Sequence, residues 1–100
     1  MLGTYNNFDN DIETSGKKTD FATIQKVRKD LIGEIDAIIQ YGQHISESDN
    51  STAKRIWRSI QTEEMVHVGE LLALLGYLDP VQKEYVEQGY KEFNEIIGEA

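Results

Sequence analysis

The chain has 100 residues, with Lys+Arg 10 against Asp+Glu 18, a net charge of −8, 39% hydrophobic residues and no cysteine. The missing thiols exclude a disulfide framework, a zinc ribbon and a cysteine nucleophile, and the acidic balance excludes the concentrated basic surface that nucleic acid requires. A chain this short buries only roughly 60–65% of its unfolded surface, so pairing with a second copy is a natural source of stability.

Residues 1–18 read as a flexible N-terminal tail. Gly3-Thr-Tyr-Asn-Asn-Phe-Asp-Asn-Asp11 mixes turn formers and acids without a sustained period, and Ser15-Gly-Lys-Lys18 continues it. The tail lacks the charged start and apolar stretch of a secretion signal. The longest apolar run, Leu71 to Leu75, falls far short of the ~20 residues of a membrane span. A cytoplasmic protein is expected, with neither membrane nor nucleic acid as partner.

A first helix is predicted from a cap at Thr19 or Asp20, with apolar residues at Ile24, Val27, Leu31, Ile35, Ile38, Tyr41 and Ile45. Steps of three and four are those of an amphipathic helix. The polar stretch Ser46-Glu-Ser-Asp-Asn-Ser51 makes a turn. A second helix follows Asn50 or Ser51 and runs to about Gly76, with a stripe of Ala53, Ile56, Ile60, Leu71, Leu74 and Leu75 and with Trp57 at one flank. Asp79-Pro80 opens a third, shorter helix with a stripe of Val81, Tyr85, Tyr90 or Gly89, Phe93 and Ile96-Ile97; Asp caps, and Pro suits the first helical turn. The fold class is all-α: an antiparallel two-helix hairpin over residues 19–78, then a C-terminal helix over 79–100.

Three ionisable residues interrupt the stripes. Glu34 stands beside Ile35 on the first helix, and Glu64 and His67 fill the steps between Ile60 and Leu71 on the second. Burying an unpaired carboxylate costs several kcal/mol, so such groups persist with a charge partner or a metal. With the hairpin apex at Asp49, Glu34 lies fifteen residues before it and Glu64 fifteen after. Both therefore sit roughly 22 Å down their helices, at one level. His67 is one turn from Glu64 on the same face. The three converge.

Carboxylates with imidazole suit iron, manganese or zinc. A di-iron carboxylate site in a helix bundle needs a Glu from each of two helices and Glu-x-x-His from each of two others. One lone Glu34 and one Glu64-Met-Val-His67 are half of that set. A two-fold axis would supply the other half from a second copy, turning two hairpins into a four-helix bundle.

On these residues, over roughly Phe21 to Leu78 with Glu63-Glu-Met-Val-His67 as the most specific string, the chain resembles the encapsulated ferritin family. Those proteins are ferritin-like half-bundles carried inside encapsulin nanocompartments. The resemblance implies a ferroxidase oxidising Fe²⁺ to Fe³⁺ with oxygen as acceptor. Its di-iron centre would be shared by two subunits, with Glu34, Glu64 and His67 as metal ligands and Tyr41, seven residues after Glu34, approaching it. It also implies a homodimer assembling into a ring, commonly a decamer, and an encapsulin shell as partner, the chain residing inside that compartment. Two features depart from the family pattern. Gly33 and Asp36 flank the first Glu, where some relatives carry further acids, and residues Asn94 to Ala100 show no recognisable encapsulin-docking tail.

Other readings compete. A rubrerythrin-like peroxide reductase normally uses additional carboxylates and often a cysteine-held electron relay; a manganese catalase shares the ligand chemistry. A non-enzymatic helical dimerisation module would use the same Glu and His as a buried polar cluster. Elsewhere, Trp57 reads as packing and His44 as a cation favoured at a helix C-terminus. Glu63 and Glu70 read as solvated, Glu70 with the option of orienting His67. Tyr85, Tyr90 and Phe93 read as an apolar docking face, and the helical glycines Gly42 and Gly69 as points of close helix contact.

Overall fold

The computed structural model describes residues 20–98; the predicted tail, residues 1–18, lies outside them. Three helices follow in order: α1 (Phe21–Glu47), α2 (Ser51–Leu78) and α3 (Pro80–Gly98). The described residues contain no strand. None of the described helices is long and apolar enough to cross a membrane.

Each helix starts on a side-chain cap. Asp20 accepts from the Thr23 backbone N–H at 3.0 Å and from its hydroxyl at 2.6 Å. Asn50 Oδ1 accepts from Ala53 N–H at 2.8 Å, and Ser48 Oγ holds the Asn50 N–H at 3.0 Å. Asp79 Oδ1 accepts from Gln82 N–H at 3.2 Å. All three satisfy donors that the first turn of a helix leaves free. Helix α2 runs two residues past Gly76. The Asp79 N–H bonds the Leu75 carbonyl at 2.8 Å, which completes the last turn.

The described residues form two compact units. One contains residues 20–24 and 74–98, and its buried side chains are Ile24 and Leu75. Within it, the Lys83 side chain lies over Gly76, 3.5 Å from where a Cβ would stand. The other is Gln25–Ala73, which holds most of the α1–α2 hairpin and has Val27 as its buried residue.

The apolar stripes are covered only in part. Ile35, Ile56 and Leu74, expected to face inward, are exposed, as is the whole predicted stripe of α3. Ile32, Ile39, Met65, Val66 and Leu72 are exposed as well. The reason is geometric: two helices in contact cover one face each, while these apolar arcs are wider than a single contact line. The unpartnered chain therefore presents far more apolar surface than isolated, scattered residues would.

Candidate metal centre

Glu34, Glu64 and His67 all belong to the unit Gln25–Ala73. Glu34 rises from the middle of α1, and Glu64 and His67 from consecutive turns of α2. Their ligand-capable atoms, one per residue, lie within 4.8 Å of one another. His67 Nδ1 stands 3.3 Å from Glu34 Oε1 across the hairpin and 3.3 Å from Glu64 Oε1 one turn back on its own helix. The carboxylates are half-buried at 24% and 19% side-chain exposure, whereas the imidazole is 48% exposed. Two oxygens and one nitrogen thus converge, with the imidazole the most exposed of the three side chains.

The electrostatics of the triad are those of two carboxylates crowded around one imidazole. The Glu34 carboxyl is held above its ordinary 4.5, first by a hydrogen bond with the Glu64 carboxyl, then by partial desolvation and the Glu64 charge, against the opposing pull of His67. Partial desolvation would lower His67. The hydrogen bonds and charges of Glu64 and Glu34 outweigh it and lift the imidazole above its usual 6.5. One Nδ1 proton at most serves two oxygens, both at distances longer than a good N–H···O bond. The donor set fits a borderline or hard divalent ion such as iron, manganese or zinc.

Tyr41 is half-buried and makes no hydrogen bond to the triad among the described residues; its ring stands edge-on to His44, with centroids 6.2 Å apart. His44 is packed as well as close to the end of α1. Its ring also packs on Trp57 at 5.2 Å, and its buried Nδ1 has no hydrogen-bond partner among the described residues. Trp57 packs, as its place on the helix suggests. Glu63 and Glu70 are exposed, and no hydrogen bond joins Glu70 to His67 among the described residues.

Sequence reasoning passed over Gln61. Its Nε2 donates to the Ile38 carbonyl at 2.9 Å across the hairpin, and a Cβ on Gly42 would lie 3.2 Å from that nitrogen. The same counting from Asp49 that paired Glu34 with Glu64 sets Gln61 opposite residue 37, next to Ile38. Gly42 is thus a point of close contact. At Gly69 an added Cβ would meet nothing within 4 Å among the described residues, so close contact within the chain does not account for it.

A helical hairpin with an inward Glu on one helix and Glu-x-x-His on the other has the arrangement of a ferritin-like helical protein. No family model matches the chain. A ferritin-like–encapsulin shell fusion protein from Pyrococcus furiosus is 38% identical over 72 residues, 72% of this chain and 21% of that protein. An encapsulin nanocompartment cargo protein from Myxococcus xanthus is 31% identical over 84 residues, 84% of this chain and 65% of that protein. The chain therefore spans about a fifth of one curated relative and under two thirds of the other. The crystal structure of the encapsulated ferritin domain from Pyrococcus furiosus matches with a TM-score of 0.76 and 34% identity, covering 82% of this chain and 84% of that one. The chain belongs to the encapsulated ferritin family.

Proposed function

We propose that the chain is a ferroxidase. Two copies meet around a two-fold axis so that two Glu34, Glu64, His67 triads enclose a pair of Fe²⁺ ions, which are the substrate. The observation that carries this reading is the convergence of the three donors within 4.8 Å of one another on a single chain. Three side chains fill only part of an iron ion's coordination shell, and the set is half of the di-iron carboxylate pattern. The exposed Ile32, Ile35 and Ile39 of α1 supply apolar surface for a partner, and closed two-fold pairing is the commonest way to cover such a surface.

In this reading two Fe²⁺ release two electrons, and O₂ with two protons accepts them as hydrogen peroxide; Fe³⁺ then leaves toward mineral. Glu34 and Glu64 neutralise the incoming charge. His67 gives up its proton on binding and supplies a nitrogen donor, and the hairpin holds the donors in place before the ion arrives. The hairpin of residues 19–78 carries the chemistry, and α3 (Pro80–Gly98) within the C-terminal segment offers its exposed face to a higher ring, a decamer as in the family. The relatives' names, cargo of an encapsulin nanocompartment and fusion to an encapsulin shell, support an encapsulin shell as partner and the compartment interior as location.

The test is oxygen-dependent growth of ferric absorbance after adding Fe²⁺, comparing the wild type with Glu34→Ala and His67→Ala. Equal rates in all three would remove the ferroxidase reading. Consumption of peroxide without ferric mineral would move the assignment to peroxide reduction.

A further inference from the structure

The half-buried neighbours of the triad along the two helices include Leu31, Ile38, Ile60 and Leu71, and apolar contacts are non-directional. They tolerate a slide of one helix along the other. A metal site does not: donor atoms must be placed to within about 0.5 Å. Something directional has to set the register.

The Gln61 side chain supplies it. Its Nε2 reaches across the hairpin to the Ile38 carbonyl at 2.9 Å, in a partly buried place. Ile38 lies one turn after Glu34 on α1, and Gln61 lies one turn before Glu64 on α2. The bond therefore ties together the two turns adjoining the triad. Within α1 the Ile38 carbonyl is also the helical acceptor for the Gly42 N–H, and a carbonyl oxygen has a second lone pair to offer. Access to that lone pair runs past residue 42. A Cβ there would lie 3.2 Å from Nε2, so the amide would have to give by a few tenths of an ångström. Glycine inside a helix is unfavourable by about 1 kcal/mol relative to Ala, and here the cleared path for the amide accounts for it.

We infer that Gln61 is a positioning residue for the Glu34, Glu64, His67 triad, locking the register of α1 on α2, and that Gly42 is the clearance this lock requires. As far as it concerns metal binding, the inference rests on the proposed function. The register itself does not.

The experiment uses the full chain with Gln61→Leu, which keeps bulk and removes the donor, and Gly42→Ala, which displaces the amide. Val27→Ala, a core truncation in the same unit two turns before Glu34, serves as a control for general loss of stability. Spin labels at the exposed positions 40 and 63, diluted with unlabelled chain, read the separation of the helices without metal. Calorimetric Co²⁺ titration and the visible Co²⁺ spectrum read the site. Gln61→Leu and Gly42→Ala should each broaden or shift the label distance, lower Co²⁺ affinity about tenfold and alter the spectrum. Val27→Ala should do none of these, and adding Gly42→Ala to Gln61→Leu should lower affinity no further. Wild-type distances and spectra in Gln61→Leu would overturn the inference, as would an equal affinity loss in Val27→Ala. If Gln61→Leu fails to fold, Gly42→Ala decides by the same readings. If the wild type binds no Co²⁺, the proposed function fails, and the metal-free label distances alone decide the lock.

Discussion

His67 and Glu34 are thirty-three residues apart in sequence and 3.3 Å apart in space, joined across the hairpin at the level where Glu64 also points inward. No local rule brings them together. Only the packing of α1 on α2 in this register does, and the pair is therefore a direct readout of the tertiary fold.

Removing one member should show the triad acting as a unit. In Glu34→Ala, His67 keeps only its own-helix partner, Glu64. Divalent-ion affinity should fall by more than the ~10–100-fold that losing a supporting neighbour of a ligand costs. Titration calorimetry with Zn²⁺ reads this, and unchanged affinity would take Glu34 out of the site.

Acid should stabilise the metal-free chain. Glu34 is raised above 4.5 and His67 above 6.5, so the folded state holds protons that the unfolded chain releases. The stabilisation is fully present below the unfolded values. It is lost as pH climbs from 4.5 through the raised Glu34 value, and then from 6.5 through the raised His67 value. Unfolding temperature without metal should accordingly fall from mildly acidic to mildly alkaline pH. Metal affinity should climb over the same range, because bound protons must leave. Thermal melts at several pH values, with chelator and with Zn²⁺, should diverge in that sense; a metal-free stability that rises with pH would contradict it.

The hairpin turn has a measurable anchor. Asn50→Ala removes the Oδ1 acceptor of the Ala53 N–H and should cost about 1 kcal/mol. Asn50→Asp retains an acceptor and should lose much less. Denaturant titration followed by circular dichroism distinguishes the two.

Alanine at Gly33 or Gly69 should act in opposite directions on the single chain and on its pairing. Nothing stands within 4 Å of an added Cβ at either position among the described residues, so Ala should stabilise the isolated chain by up to about 1 kcal/mol per site. If a second copy packs closely there, the same substitutions should weaken pairing. Helicity at high dilution and sedimentation velocity at high concentration separate the two effects.

Much of the fold was legible because its signals are local. Asp20, Asn50 and Asp79 are cap residues at the start of apolar periods, and Pro80 marks a first helical turn. The triad was legible because polar residues broke an apolar stripe at matched distances from Asp49. Burial was not legible to the same degree. Ile35, Ile56 and Leu74 satisfy the helical period equally well whether a sister helix or a second copy covers them, and periodicity does not distinguish the two. The roles of Gln61 and His44 escaped for a different reason. An amide and an imidazole on a helix read as ordinary surface groups until the carbonyl of Ile38 and the ring of Trp57 are seen beside them.

One residue, Asp79, separates the last residue of α2 from Pro80. Its N–H is committed backward to Leu75 and its carboxylate forward to Gln82, while the Pro80 ring fixes the following φ. These ties restrict the joint, and Asp79→Gly, which removes the carboxylate and frees the backbone, should loosen it.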